Sequence, residues 1–469
     1  MPDMDLEMGD ALRYAAEAAQ RYLNAVDSQP AAPSGIDSAA AAFSGGSLPE
    51  TGDGALAALR ELVSTGMPAA TRSAGPRFFH FVTGGATPAA LAADWLTSTL
   101  DQNSFSWVSS PLGSRVEQVA VQWLKELFRL DPGWGGVLTT GATTANFVAL
   151  AAARRWWAGE HGVDIEEAGW AGLGPVPVLA TPSVHTSVVK ALAMLGIGRQ
   201  SVRRLDLQAL AAELAGLGGR PAIVVATAGD VNTGAFDAIA EMADLAARHR
   251  AWLHIDGAFG LFARVSESAA ALAEGVERAD SVISDGHKWL NVPYDCGFAF
   301  VRDARLLHGV FALTGAPYLP LGTAERPSFG DFGPEASRRA RALAVWATLR
   351  AYGRRGYRDL VERHLVLARR VGEQVQAADD LELMAPVVLN VVCFRYRPAG
   401  VPEGELDELN RRLGAAILAD GRVYFGTTVH HDAVVFRPAI SNWRTGDEDV
   451  DLIVRVTREL GAGLVGSVR

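Results

Sequence analysis

The sequence predicts an α/β protein, with a central, mostly parallel sheet followed by a small α+β C-terminal domain. Three observations predict it. Between Gly135 and Ala304 seven short apolar runs, VLTT, VPVLA, SVRRL, AIVVATAG, WLHIDGA, SVISD and GFAFV, alternate with amphipathic helical segments. Strands separated by helical segments of such length are joined by right-handed crossovers and lie parallel. The polar residues of chemical interest fall at the ends of these runs, where open α/β sheets bind ligands. From Ala336 the pattern changes to long helices, ASRRARALAVWATLRAYG and YRDLVERHLVLARRVGEQVQ, and then to mixed apolar runs at PVVLNVVCFRY and AVVFRPAIS. The expected organisation is an N-terminal helical segment over 1–100, a large domain over 101–355 and a small C-terminal domain over 356–469.

Bulk properties narrow the function. The 469 residues are 49% hydrophobic and 20% charged, enough to bury sizeable cores, and the net charge of -10 with no dense Lys/Arg cluster argues against nucleic acid as partner. Small-molecule chemistry is the better expectation. The two cysteines, Cys296 and Cys393, sit in apolar runs and offer neither a disulfide framework nor a metal spacing, so no metal is expected and a reducing compartment fits. The acidic N-terminus has no apolar core and no uncharged apolar run is long enough to span a bilayer, which points to a cytoplasmic protein with no membrane partner.

Residues 5–27 have helical spacing, and 29–54, rich in Pro, Ala, Gly and Ser, is expected to be a linker with little structure. The stretch PRFFHFVTGGATP (76–88), which contains Thr83 and Gly84, has too many glycines for a strand and reads either as a packed connection or as a pocket wall. Residues 88–130 are helical again, broken at WVSSPLGS. In VLTTGATTANFVAL a strand meets a helix starting near Thr143, whose free N–H groups suit an anion such as a phosphate; an ordinary N-cap threonine accounts for it equally well.

Three further strand ends carry candidates. Asp256, in WLHIDGAFG, is a carboxylate among apolar residues that needs a partner, either a cofactor ring nitrogen or the following turn. His185, in ATPSVHTSVV, sits past a strand at a helix start, as a structural donor or a cofactor contact. Lys288 lies between the runs of ADSVISDGHKWLNVPYDCGFAFV and is one of three lysines in the chain. Lys125 and Lys190 fall in amphipathic helical patterns, whereas Lys288 falls at a strand end, where burial favours a nucleophilic amine able to form a Schiff base; pairing with Asp285 is the plainer alternative.

A phosphate-type loop, a histidine, a strand-end aspartate and, 32 residues after it, a strand-end lysine occur in that order. Through TTGATTANFVAL, SVHTSVVKA, TAGDVNTGAFD, HIDGAFG and DGHKWL the chain resembles the group II pyridoxal-phosphate-dependent decarboxylases, which include aromatic-L-amino-acid and glutamate decarboxylases, over about residues 75–460. The resemblance implies a fold-type I architecture, pyridoxal 5'-phosphate as cofactor and a homodimer whose pocket is shared between subunits. It implies that Lys288 carries the cofactor as an aldimine, that Asp256 pairs with the pyridine nitrogen and that His185 stacks on the ring. Ala142, Thr143 and His287 then take the phosphate, Ala258 packs on the far ring face, and Arg437 in VVFRPAISN grips the substrate carboxylate. Thr83 and Gly84 would face the substrate side chain.

Three departures limit the carry-over. Asp285 stands where close relatives have a phosphate-contacting asparagine, and since a second anion repels a phosphate, Asp285 is expected to face elsewhere. Asp230 and Val231 replace threonines, leaving Asn232 as the substitute contact. The stretch compared with the family's mobile loop, RPSFGDFGPEASRR, has Phe329 and Phe332 in place of a proton-donating tyrosine, so Tyr318 or His185 is the candidate acid. The leading expectation is decarboxylation of an aromatic-type L-amino acid to its amine. The alternatives are an oxidative, aldehyde-forming decarboxylation, another enzyme of this cofactor such as a transaminase, and a fold relative without activity.

Overall fold

All seven apolar runs become strands of one sheet in the computed structural model, which describes residues 4–313 and 322–466. In chain order they are β1 (Gly135–Thr139), β2 (Val178–Ala180), β3 (Val202–Arg204), β4 (Ala222–Thr227), β5 (Ala251–Asp256), β6 (Ser281–Asp285) and β7 (Gly297–Val301). Their order across the sheet is β1-β7-β6-β5-β4-β2-β3. Only β7 runs antiparallel to its neighbours, so the carboxyl ends of β1, β4, β5 and β6 share one edge. The central strands β4, β5 and β6 are buried at every residue, as expected of parallel strands covered on both faces, while edge strand β3 exposes Arg203 and Arg204.

The helix Ala142–Gly159 packs across β5, β6 and β7. Its run Val148–Ala153 is wholly buried, and its alanines let it lie close on the sheet. The helix Ile239–His249 covers β4 and β5.

The chain forms two compact units. One, Val82–Arg369 with Pro386–Val392, contains this sheet. The other comprises Met1–Phe81, Arg370–Ala385 and Cys393–Arg469. It has a four-stranded antiparallel sheet, ordered β10-β11-β9-β8, from β8 (Leu381–Leu383), β9 (Phe394–Tyr396), β10 (Thr427–His430) and β11 (Ala433–Phe436). Phe394, Phe425 and Phe436 cluster at its core, with centroids 5.5 to 6.4 Å apart. Early residues are stitched into the same unit: Phe79 N donates to Tyr424 O (2.9 Å), and Ala439 N donates to Phe79 O (3.0 Å).

Two elements differ from the sequence expectation. The linker over 29–54 contains a short helix, Ile36–Ala42, because an alanine run supplies helix propensity inside a Pro/Gly-rich stretch. The helix expected from Ala336 begins at Ala342, since Arg338 is first drawn into a buried ion pair with Glu117 and Arg341 into one with Glu335; the expected break between the two helices falls at Gly353.

Candidate functional site

Residues singled out in the sequence meet at the shared carboxyl edge of the large sheet. At the end of β6, Asp285 is buried and makes three polar contacts. Its Oδ1 accepts from Ala142 N at 2.5 Å, its Oδ2 lies 3.1 Å from Lys288 Nζ, and His287 Nε2 is 3.6 Å from Oδ1. The expectation that Asp285 faces away is therefore corrected. The first free amide of the Ala142–Gly159 helix is an anion site, and a backbone amide at a helix start attracts whichever carboxylate is in reach. The Lys288–Asp285 pair, the plainer alternative for that lysine, is present, and the Lys288 side chain remains 18% exposed.

Glycines make this crowding possible. A Cβ on Gly84 would lie 1.7 Å from Lys288 O, so only glycine lets the Thr83–Gly84 backbone rest on the lysine, where Gly84 N donates to His287 O at 3.1 Å. Thr83 is buried and shares a 3.3 Å hydrogen bond with the Tyr294 hydroxyl, and the Tyr294 ring stacks on His287 with centroids 4.1 Å apart. Tyr294 was not picked out in the sequence, where it reads as a loop aromatic. Burial, reinforced by the neighbouring Lys288 and opposed by Asp285, holds the His287 imidazole below the usual histidine range.

At the start of the same helix the N-cap is Gly141, without a side-chain cap, so Thr143 is not the capping residue. Thr144 Oγ1 instead bonds Thr140 Oγ1 at 2.8 Å. Asp256 ends β5, buried, with Oδ1 accepting from Ala258 N (3.2 Å) and Oδ2 from Asn146 Nδ2 (3.1 Å). Asn146 also donates to Ser187 Oγ (3.1 Å) and accepts from His254 Nε2 (2.8 Å). Ala258 O receives Asp285 N at 2.9 Å, tying the β5 turn to the end of β6. His185 is exposed as N-cap of the helix Thr186–Met194, its Nδ1 2.7 Å from Ser187 Oγ. Asn146 and His254 carried no sequence signal, being an asparagine in an alanine-rich helix and a histidine in an apolar strand.

Asn232 lies in a turn that Asp230 organises, since Asp230 Oδ1 accepts from Asn232 N (2.9 Å), Thr233 N (3.0 Å) and Thr233 Oγ1 (3.1 Å). Arg437 belongs to the other unit, directly after β11, and together with burial it holds the His80 imidazole down to about 4, burial being the larger cause. Phe329 and Phe332 form a short 3-10 turn in which Gly330 N donates to Phe105 O (2.9 Å). That turn and Gly135, at the amino end of β1, line one cavity of about 760 Å³, whereas the site lies beyond the carboxyl end of this five-residue strand, which spans about 16 Å. Tyr318 lies outside the described residues.

The donor set suits pyridoxal 5'-phosphate: one accessible primary amine, helix-start amides for a phosphate, and a buried carboxylate held in a hydrogen-bond frame. Comparisons with known proteins agree. The pyridoxal-dependent decarboxylase conserved domain matches residues 44–397. The chain is 30% identical over 419 residues to the aromatic-L-amino-acid decarboxylase of Bacillus atrophaeus, covering 86% of this chain and 85% of that one. It is 32% identical over 440 residues to the L-2,4-diaminobutyrate decarboxylase of Rhizobium meliloti, covering 88% and 84%. The crystal structure of Oryza sativa TDC with PLP and tryptamine superposes with a TM-score of 0.90 at 27% identity, over 99% of both chains.

Proposed function

Since the chain belongs to the pyridoxal-dependent decarboxylases and is a pyridoxal-phosphate-dependent carboxy-lyase, we propose that it converts an aromatic-type L-amino acid to its amine and CO2. The observation that carries the reading is the convergence of Lys288, the Ala142 amide and Asp256 on one sheet edge.

Bound at this edge, pyridoxal phosphate supplies the electron sink for the pair released when the Cα–carboxylate bond breaks. The Lys288 amine would hold the cofactor's carbonyl carbon at this edge. Asp256 would pair with the pyridine nitrogen and hold a proton there. Ala142, Thr143, His287 and Asn232 hold the phosphate, His185 covers one ring face and Ala258 the other. Arg437 binds the substrate carboxylate, the role for which a bidentate guanidinium is suited. By fixing the orientation of that carboxylate, Arg437 would select which bond at Cα breaks. Thr83 and Gly84 wall the substrate side-chain pocket. Tyr318 returns a proton to Cα, a step to which a positioned acid contributes about 10²–10⁴-fold.

In this reading residues 101–355 form the cofactor domain, 356–469 the small domain and 1–100 the contact face of a cytoplasmic homodimer. An active monomer in light scattering would exclude the dimer. Among the described residues no helix is long and apolar enough to cross a membrane. The test of function is product stoichiometry with tryptophan, tyrosine, phenylalanine and 2,4-diaminobutyrate. We expect amine equal to CO2 without oxygen uptake from an aromatic substrate, and a large fall in kcat for Tyr318→Phe. Aldehyde formed with stoichiometric oxygen uptake would replace the proposal with the oxidative reading.

A further inference from the structure

A chain of buried hydrogen bonds runs behind the site, and both of its ends have fixed polarity. At one end the Trp252 indole, which can only donate, gives its N–H to Ser281 Oγ at 2.9 Å. Ser281 Oγ is 2.8 Å from His254 Nδ1, and His254 Nε2 is 2.8 Å from Asn146 Oδ1. At the other end the Asp256 carboxylate accepts at both oxygens, from Ala258 N at Oδ1 (3.2 Å) and from Asn146 Nδ2 at Oδ2 (3.1 Å). The amide of Asn146 therefore points its NH2 at Asp256, leaving its oxygen for His254. His254 must carry its proton on Nε2. It is fully buried and burial, opposed by Asp256, lowers it to about 4, so it is neutral and Nδ1 accepts from Ser281. The second Asn146 N–H goes to Ser187 Oγ at 3.1 Å, and the Ser187 hydroxyl in turn donates a hydrogen bond to His185 Nδ1 at 2.7 Å. His185 Nδ1 also receives Ser187 N–H at 3.2 Å, which leaves the ring proton of His185 on Nε2.

We propose that Asn146 is a positioning residue that joins the two cofactor-facing side chains: one N–H aims the Asp256 carboxylate, the other sets the His185 tautomer through Ser187, and His254 locks the amide in that orientation. The proposal rests on the cofactor reading above, and it adds residues that touch neither cofactor nor substrate. Its physical content is direction. A carboxylate in an apolar strand end has two oxygens to orient, and a hydrogen bond to a charged acceptor that is removed from a buried site costs about 10–100-fold in the equilibrium it supports.

The test has two readouts on the full-length protein. The first is nitrogen NMR of histidine-labelled protein. It should show His254 and His185 both with the ring proton on Nε2, and His254 should not titrate between pH 8 and about 5.5, given its burial. The second is the dissociation constant for pyridoxal phosphate, read from the visible absorbance of the bound cofactor. Asn146→Ala should weaken it by about 10–100-fold and disturb both histidines. Ser187→Ala should shift the His185 signals and leave those of His254 in place. Asn146→Asp keeps the shape but sets a second carboxylate against Asp256; one of the two must then hold a proton, and affinity should fall in the same range. His254 protonated on Nδ1, or Asn146 variants that fold and bind the cofactor as wild type does, would overturn the relay. A wild-type chain that takes up no cofactor but shows the Nε2 tautomer would instead sink the cofactor reading and leave the relay standing.

Discussion

Asp285 occupies the amide that begins the helix over β5–β7 and holds the Lys288 amine with its other oxygen. In the proposed function these are the partners of the phosphate and of the cofactor's carbonyl carbon, so on that reading Asp285 competes with the cofactor for them. Removing the charge while keeping the shape should help loading: Asp285→Asn is expected to lower the cofactor dissociation constant by about tenfold, or ~1.4 kcal/mol, in an absorbance titration. Weaker binding in this variant would show that Asp285 supports the site. At this scale legibility follows chemistry. Lys288, Asp256 and His185 stood out through their joint order along the chain, since taken singly an aspartate that caps a turn and a histidine that serves as a structural donor are the commoner uses. Asn146 and His254 did not, because their meaning lies in partners more than a hundred positions apart, as Asn146 is from His254.

β1 is the edge of the sheet, and its outer side is closed by side chains. Glu117 Oε1 accepts from Leu138 N (3.1 Å), Arg338 Nη2 donates to Leu138 O (2.8 Å), and the two residues join each other through bonds of 2.7 and 2.8 Å with both side chains almost wholly buried. The pair thus satisfies backbone groups that an edge strand leaves open. Breaking it strands a buried charge, so Arg338→Ala or Glu117→Ala alone should destabilise the large unit by about 3–5 kcal/mol, while Arg338→Met with Glu117→Leu should recover part of that in denaturant unfolding. A double variant no better than either single one would contradict this account. This pairing explains why the helix start was misjudged: a run of arginines reads as helical surface until its partners in β1 and the preceding helix are known. The central strands β4, β5 and β6 were legible because strands buried on both faces are continuous apolar runs. β8 (LEL) and β10 (TTVH) were not, being short, half-exposed and without an apolar run.

Across the whole molecule, the family membership, the sheet order and the clustering at one sheet edge converge on a pyridoxal-phosphate enzyme. The turn at Phe329 lies at the other end of β1, and in the proposed reading the proton donor is therefore sought in Tyr318 or His185. The account turns on a single amine, and the chain offers only three lysines. Lys125 is spent on structure, with Nζ donating to Pro132 O (2.5 Å) and Trp134 O (2.8 Å), and Lys190 is exposed on a helix away from any strand end. Borohydride reduction of the cofactor-loaded protein followed by peptide mapping tests the claim most directly. We expect the pyridoxyl label on Lys288 alone, and a folded Lys288→Ala protein without turnover. A label on Lys190 or Lys125, or none on a protein that decarboxylates its substrate, would contradict the account.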